Sequence, residues 1–285
     1  MKIGMNLLLW TTHVTEAQHR LFPALKAVGF DGVEVPIFEG DPAHYTDLGR
    51  RLDDEGLERT VVGICPDAAH NPISENPTER QAALDHLKWL IDNTAAVGGQ
   101  ALVGPLHQTL GWFTGAGPTD QQKDWAVAVL TQAADHAAPA NITLAAEPLN
   151  RFECFFLNTL ADGATLTQRV NRPNFGVLYD TFHSNIEEKN QGDAIRAGID
   201  AIAHVHISEC DRGTPGRGAI DWPPIFRALR HSGYDGWLTI ESFGRALPDL
   251  AAATKVWRDL FTSEEDVYTH GFQHIRTGWD AAAPQ

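Results

Sequence analysis

The chain has 285 residues, 43% hydrophobic and 21% charged, the composition of a globular protein with enough length for one large core. Its formal net charge of −15, from 37 acidic against 22 basic residues, repels a phosphate backbone and argues against nucleic acid as a partner. Three cysteines, Cys65, Cys154 and Cys210, include no CxxC pair, which speaks against a disulfide framework and a thiolate zinc site and fits a reducing cytoplasm. The opening MKIGMNLLLW is too brief for a signal peptide, and no run reaches the roughly 18 apolar residues of a membrane span.

In chain order, strand-like and helix-like segments alternate. Lys2 to Leu9 reads as a first strand and Glu16 to Val28 as a helix closed by Gly29. Gly32 to Ile37, Arg59 to Cys65 and Ala101 to Leu106 read as the next strands. Their helices run from about Tyr45 to Glu55, Pro77 to Val97 with Asn76 or Thr78 as cap, and Asp120 to Ala137. The fifth strand is the apolar run from Ile142 that ends on Glu147 before Pro148, and its helix is Leu160 to Val170. Strands from Asn174 to Asp180, Ile202 to Ser208 and Trp237 to Glu241 follow, with helices over Gly192 to Ile199, Trp222 to His231 and Leu247 to Phe261. Regular alternation means a parallel sheet, and eight units predict an α/β fold, a single-domain (β/α)8 TIM barrel, over residues 1–261. An open doubly wound sheet is the alternative, but it would usually carry a GxGxxG or P-loop turn after the first strand, where this chain has TTHVTE. Residues 262–285 are expected to be an extension packing on the barrel or on a second subunit.

The last four strands share a design. Each carries a polar group at or near its C-terminal end: Glu147, Asp180, His206 and Glu241, separated by 33, 26 and 35 residues, about one βαβ repeat each. In such a barrel these ends converge at the mouth, where active sites lie. Three carboxylates and one imidazole make a mostly oxygen donor set that suits Mn2+, Co2+ or Mg2+. Clustered buried carboxylates repel one another and lose hydration, so the set implies a cation.

The segments EPLNRFE (147–153), YDTFH (179–183), HVHISECDRGTPGRGAIDW (204–222) and TIESF (239–243) resemble the ketose 3-epimerases, the D-tagatose and D-allulose 3-epimerase group within the xylose-isomerase-like barrels. The second half of the chain carries these motifs, and the first half matches in layout. The resemblance implies that Glu147, Asp180, His206 and Glu241 hold one Mn2+ or similar ion. It makes Glu147 and Glu241 the catalytic acid/base pair and gives Glu153, His183 and Arg212 the sugar's O1 to O3. It further implies a small ketose as substrate and a homodimer or homotetramer.

The chemistry explains the residue types. Removing a proton beside a carbonyl leaves an enediolate, whose charge a divalent ion stabilises as a Lewis acid. Inverting C3 needs one group to take the proton and another to return one on the opposite face. Aldose-ketose or inosose isomerisation, which moves hydrogen on one face, is the runner-up. An endonuclease IV-like repair enzyme and a non-catalytic sugar-binding protein are distant alternatives.

Smaller features complete the expectation. Trp112 and Phe113 are placed to cover the sugar's apolar face, Cys65 and Trp10 to line the pocket, and Glu34, within strand two, to support the site from behind. Arg212 and Arg217 flank a glycine-rich loop, read as a tight loop that aims Arg212 at sugar hydroxyls, with a phosphate cradle as the alternative. His13, His44, His70, His107, His270 and His274 lack ligand spacing and read as solvated or structural.

Overall fold

A computed structural model describes residues 1–284. Eight parallel strands close in sequence order: β1 (Lys2–Asn6), β2 (Gly32–Pro36), β3 (Glu58–Val62), β4 (Ala101–Gly104), β5 (Thr143–Ala146), β6 (Phe175–Asp180), β7 (Ile202–Ile207) and β8 (Trp237–Ile240), with β8 pairing back onto β1. Runs such as FGVLYD and WLTI are apolar at nearly every position because both faces of each strand are covered, by the barrel interior and by the helices. The helices are α1 (Leu21–Val28), α2 (Pro42–Asp54), α3 (Pro77–Val97), α4 (Asp120–Ala137), α5 (Leu160–Val170), α6 (Thr181–Glu187), α7 (Gln191–Gly198), α8 (Trp222–His231), α9 (Pro248–Thr254) and α10 (Glu264–Ala281).

Helix ends follow local chemistry. Asn76 caps α3 through Thr78 N–H with Pro77 at the first turn, and Gly98 ends it in the left-handed region at φ 72°. Thr119 and Gln122 form a reciprocal capping box on α4. The first predicted strand is shorter than expected, because Leu7–Leu9 turn into a 3-10 helix after Asn6 accepts the Leu8 N–H.

Two corrections concern helices. Leu247 to Phe261 does not form the eighth helix of the ring. Only Pro248–Thr254 is helical there, ending at Lys255 with φ 62°. The space between α8 and α1 is filled by α10. Phe272 meets Phe30 with centroids 5.0 Å apart, and His274 meets Trp222 at 5.0 Å. Val267, Gly271 and Ile275, four residues apart, form its buried stripe. The second correction is α6, an unexpected helix that Asp180 itself caps by accepting N–H groups of Phe182 and His183 at 2.7 and 3.0 Å.

Candidate active site

Each strand end delivers its group through backbone pairing. Glu147 N–H donates to the Gly104 carbonyl at 2.9 Å, extending the β4–β5 ladder by one step, and Glu241 N–H donates to the Ile207 carbonyl at 3.2 Å. One ligand atom from each of Glu147, Asp180, His206 and Glu241 lies within 4.8 Å of the others, and all four side chains are buried. These are the four strand-end residues expected from the sequence.

The donor set fits a divalent cation. Capping α6 occupies one Asp180 oxygen and leaves Oδ2 buried without a hydrogen-bond partner. His206 Nδ1 is likewise buried without a hydrogen-bond partner, 3.7 Å from Asp180 Oδ2 and 3.3 Å from Glu241 Oε1. Its other nitrogen, Nε2, lies 2.7 Å from Glu34 Oε1, so a carboxylate behind the ring orients the imidazole with Nδ1 toward the cluster. Burial alone would lower the proton affinity of His206, but Glu34 and Glu241 raise it well above the usual range. The same field attracts a metal ion.

Glu34, His204 and His206 also converge. Glu34 is committed elsewhere, because Asn6 Nδ2 donates to its Oε1 at 3.0 Å and Thr60 Oγ to its Oε2 at 2.9 Å. Burial opposes its charge, yet His206 and His204 hold the carboxyl well below its ordinary range. Glu34 thus backs the site, as expected. Asn6, which the sequence reading did not single out, joins Glu34 to Glu241 by a second contact of 3.3 Å to Glu241 Oε1.

The two outer glutamates differ in environment. Burial first, then the charge of Glu241, pushes the Glu147 carboxyl well above its ordinary range. Burial acts the same way on Glu241, but His206 and Arg212 outweigh it and keep Glu241 ionised. Arg212 Nη1 donates to Glu241 Oε2 at 2.7 Å and to Ser208 Oγ at 3.0 Å, and its guanidinium lies over the Phe182 ring at 3.8 Å. Arg212 has φ 64°, and its N–H donates to the backbone carbonyl of Glu209, whose side chain is buried, at 2.9 Å. That buried carboxylate accepts from the N–H groups of Cys210, Gly216 and Ile220 and from Trp222 Nε1. The glycine-rich stretch is therefore wrapped around an internal carboxylate, which argues against the phosphate cradle.

A cavity of about 270 Å³ opens over this cluster. Glu147, Glu153, His183, Arg212 and Glu241 form its polar side, while Leu8, Phe38, Val62, Ile64, Leu110 and Leu250 form much of the opposite wall. His183 is pushed down to about 3 by burial and then by Arg212, so it is neutral. Burial raises Glu153 despite Arg212.

Four expected pocket residues, Trp10, Cys65, Trp112 and Phe113, stand outside the wall; Trp10 packs on Tyr268 at 6.2 Å, and Phe113 is an exposed ring 6.4 Å from Phe155. Ile64 lines the wall where Cys65 was expected, because the Cys65 thiol turns to the Leu106 carbonyl and is pushed up to about 12 by burial. Leu110 lines it instead of Trp112, whose ring packs on Phe155 at 5.8 Å. The helix expected over Leu247 to Phe261 was assigned to the outer ring, whereas its helical part, α9, brings Leu250, Ala253 and Thr254 to the cavity.

A buried polar cluster under a cavity at the C-terminal mouth of a (β/α)8 barrel is where enzymes of this fold keep their active sites, and similarity narrows the class. The family model described as "Xylose isomerase-like TIM barrel" matches residues 22–277. The chain is 31% identical to the ketose 3-epimerase of Arthrobacter globiformis over 97% of this chain and 96% of that protein. It is 33% identical to the D-psicose 3-epimerase of Agrobacterium fabrum over 91% of each. A solved L-ribulose 3-epimerase superposes with a TM-score of 0.91 at 31% identity, covering 99% of this chain and 95% of that one. The chain belongs to the ketose 3-epimerase family of the xylose isomerase-like TIM barrels, a family of isomerase-class enzymes.

Proposed function

We propose that the chain epimerises a free ketose at C3, with Glu147 and Glu241 as its two acid/base groups. The observation that carries this reading is that the ends of β5 and β8 bring these two carboxylates to one cavity, where both belong to the same four-donor cluster. The names of the relatives, ketose, D-psicose and L-ribulose 3-epimerase, agree with it.

On this reading Glu147, Asp180, His206 and Glu241 hold one divalent ion, Mn2+ or alternatively Co2+ or Mg2+. Such an ion supplies Lewis-acid stabilisation of the charge that develops on substrate oxygens. One glutamate takes the C3 proton and the other returns one to the opposite face. His183 and Arg212 donate to oxygens of the sugar, and Glu153 accepts from a hydroxyl. Among the described residues lining the cavity Arg212 is the one Lys or Arg, and it is paired with Glu241, which favours a sugar without phosphate. No helix among the described residues is long and apolar enough to cross a membrane. We take the setting as cytoplasmic, the assembly as a homodimer or homotetramer, and the catalytic domain as including α10.

The test is incubation of the metal-reconstituted protein with D-fructose, D-tagatose and L-ribulose in D2O, followed by NMR. Deuterium at C3 together with the C3 epimer is the expected result. Label at C1 with an aldose product moves the activity to isomerisation, and no exchange in any sugar sinks the reading.

A further inference from the structure

His183 carries a hydrogen-bonding conflict that one tautomer resolves. Its Nδ1 faces two donors, the Asn150 backbone N–H at 3.0 Å and the Asn150 side-chain Nδ2 at 2.9 Å. The backbone amide can only donate. The side-chain amide is held in its orientation because Oδ1 accepts the Phe152 N–H at 3.0 Å while Nδ2 also donates to Glu153 Oε1 at 2.8 Å. Exchanging its oxygen and nitrogen would set oxygen against a carboxylate and nitrogen against an N–H.

The other ring nitrogen, Nε2, lies 2.8 Å from Arg212 Nη2 and 3.5 Å from Glu147 Oε1. A proton on Nδ1 would meet two N–H groups and no acceptor. A proton on Nε2 opposes one donor, Arg212, and has a carboxylate oxygen nearby. The count favours a lone pair on Nδ1 and N–H at Nε2. Two donors, the Nε2–H and an Arg212 N–H, then stand side by side at the cavity, and Glu147 Oε1 at 3.5 Å from Nε2 is too far to satisfy the pair, an arrangement that calls for one oxygen atom.

We propose that Asn150 is a positioning residue that fixes His183 as its Nε2–H tautomer, so that His183 and Arg212 act as a two-pronged donor for a single substrate oxygen and His183 does not serve as a base. The identity of that oxygen, the one on which charge develops during proton removal, rests on the function proposed above. The tautomer does not.

The experiment uses the full-length chain labelled with 15N-histidine and loaded with diamagnetic Mg2+, without sugar, in a long-range 1H–15N correlation. His183 is assigned by the signals lost in His183→Gln. The expected spectrum has Nδ1 at an unprotonated shift and Nε2 at a protonated one. Asn150→Asp replaces the side-chain donor by an acceptor, and should move Nδ1 toward the protonated shift. It should also lower kcat for C3 exchange by about tenfold or more with a smaller change in KM, the pattern of a lost transition-state donor. A protonated Nδ1 in the wild type overturns the proposal, as does an Asp variant whose ring signals and kcat are unchanged. Should that variant not fold, the wild-type spectrum decides alone. Absence of C3 exchange in every ketose would remove the proposed function and leave the spectrum to be judged by itself.

Discussion

The two halves of the barrel mouth differ in what they bring to the cavity. From β5 to β8 come Glu147, Asp180, His206 and Glu241, with Glu153, His183 and Arg212 from the loops beyond, all charged or polar and most of them buried. From β1 to β4 and their loops come Leu8, Phe38, Val62, Ile64 and Leu110, with Leu250 of α9 closing the same side. The polar half is a network in which each group's charge depends on its neighbours, so a change at one is felt by all. The side chains of Leu8, Phe38, Val62, Ile64, Leu110 and Leu250 make no directional bonds and set shape. Chemistry and selectivity are thus separable, and mutations in the two halves should fail in different ways.

The largest effect belongs to the polar half. Glu147→Gln or Glu241→Gln should reduce kcat for C3 exchange by at least about a hundredfold, the lower range for a lost general acid or base, with an unchanged circular dichroism spectrum. Activity within a few-fold of wild type in either variant would break the two-base assignment.

Next comes the support that crosses the barrel. Glu34 stands on β2, in the half that otherwise supplies apolar wall, yet it orients His206 on β7. Glu34→Gln should weaken divalent-ion affinity by about 10- to 100-fold, the cost usual for losing a partner behind a metal-binding imidazole, as read by calorimetric titration of Mn2+. Removing the ion with a chelator should lower the thermal midpoint of the wild type, since the carboxylates of Glu147, Asp180 and Glu241 then face one another unshielded. An unaltered affinity in the variant would mean that Glu34 serves packing alone.

These contrasts also account for what the sequence disclosed. The four strand-end groups were legible because each sits at or near the end of an apolar run, and the boundaries of α3 fell where Asn76 and Gly98 put them. Contacts across the barrel were less legible. Glu34 stood out as a charge inside a strand, but Asn6 lay within the expected strand from Lys2 to Leu9 with nothing to distinguish it, and its link to Glu241 spans 235 positions. Helix α6 escaped because the residue that caps it, Asp180, had already been assigned to metal. The eighth helix was misplaced for a different reason. Leu247, Leu250, Val256 and Leu260 give the segment before α10 an apolar content that suits a barrel helix, while the stronger start signal lies later, where Ser263 caps a turn bearing Glu264, Glu265 and Asp266. That exchange frees α9 to wall the cavity, and it is why Leu250 was not foreseen.

The apolar half should respond more gently. Leu250→Ala enlarges the wall without touching a hydrogen bond of the polar cluster. It should change the ratio of kcat/KM between D-fructose and L-ribulose by about tenfold, in the range expected for hydrophobic pocket contacts, with kcat for the better substrate altered only a few-fold. A fall in kcat comparable to that of Glu147→Gln would dissolve the division between the two halves.

The smallest effect tests how the apolar wall is held. Ile64 offers its carbonyl to His86 Nε2 at 3.0 Å, and the His86 ring stacks on Trp89 with Asp67 and His70 on the other side. Burial, the largest influence, lowers the proton affinity of His86 below its ordinary value, outweighing the Ile64 carbonyl and Asp67, which raise it. The folded state therefore resists a proton that the unfolded chain accepts near pH 6.5. The sign follows: this contribution is fully present above about pH 6.5 and declines as the pH falls below it. Half-exposure keeps it small. Wild type should accordingly lose more of its urea midpoint between pH 7.5 and 5.5 than His86→Gln, in which that proton has no site while an amide N–H can still reach the Ile64 carbonyl. Equal losses in the two proteins would show that His86 is not what ties the wall to the acid side of the stability curve.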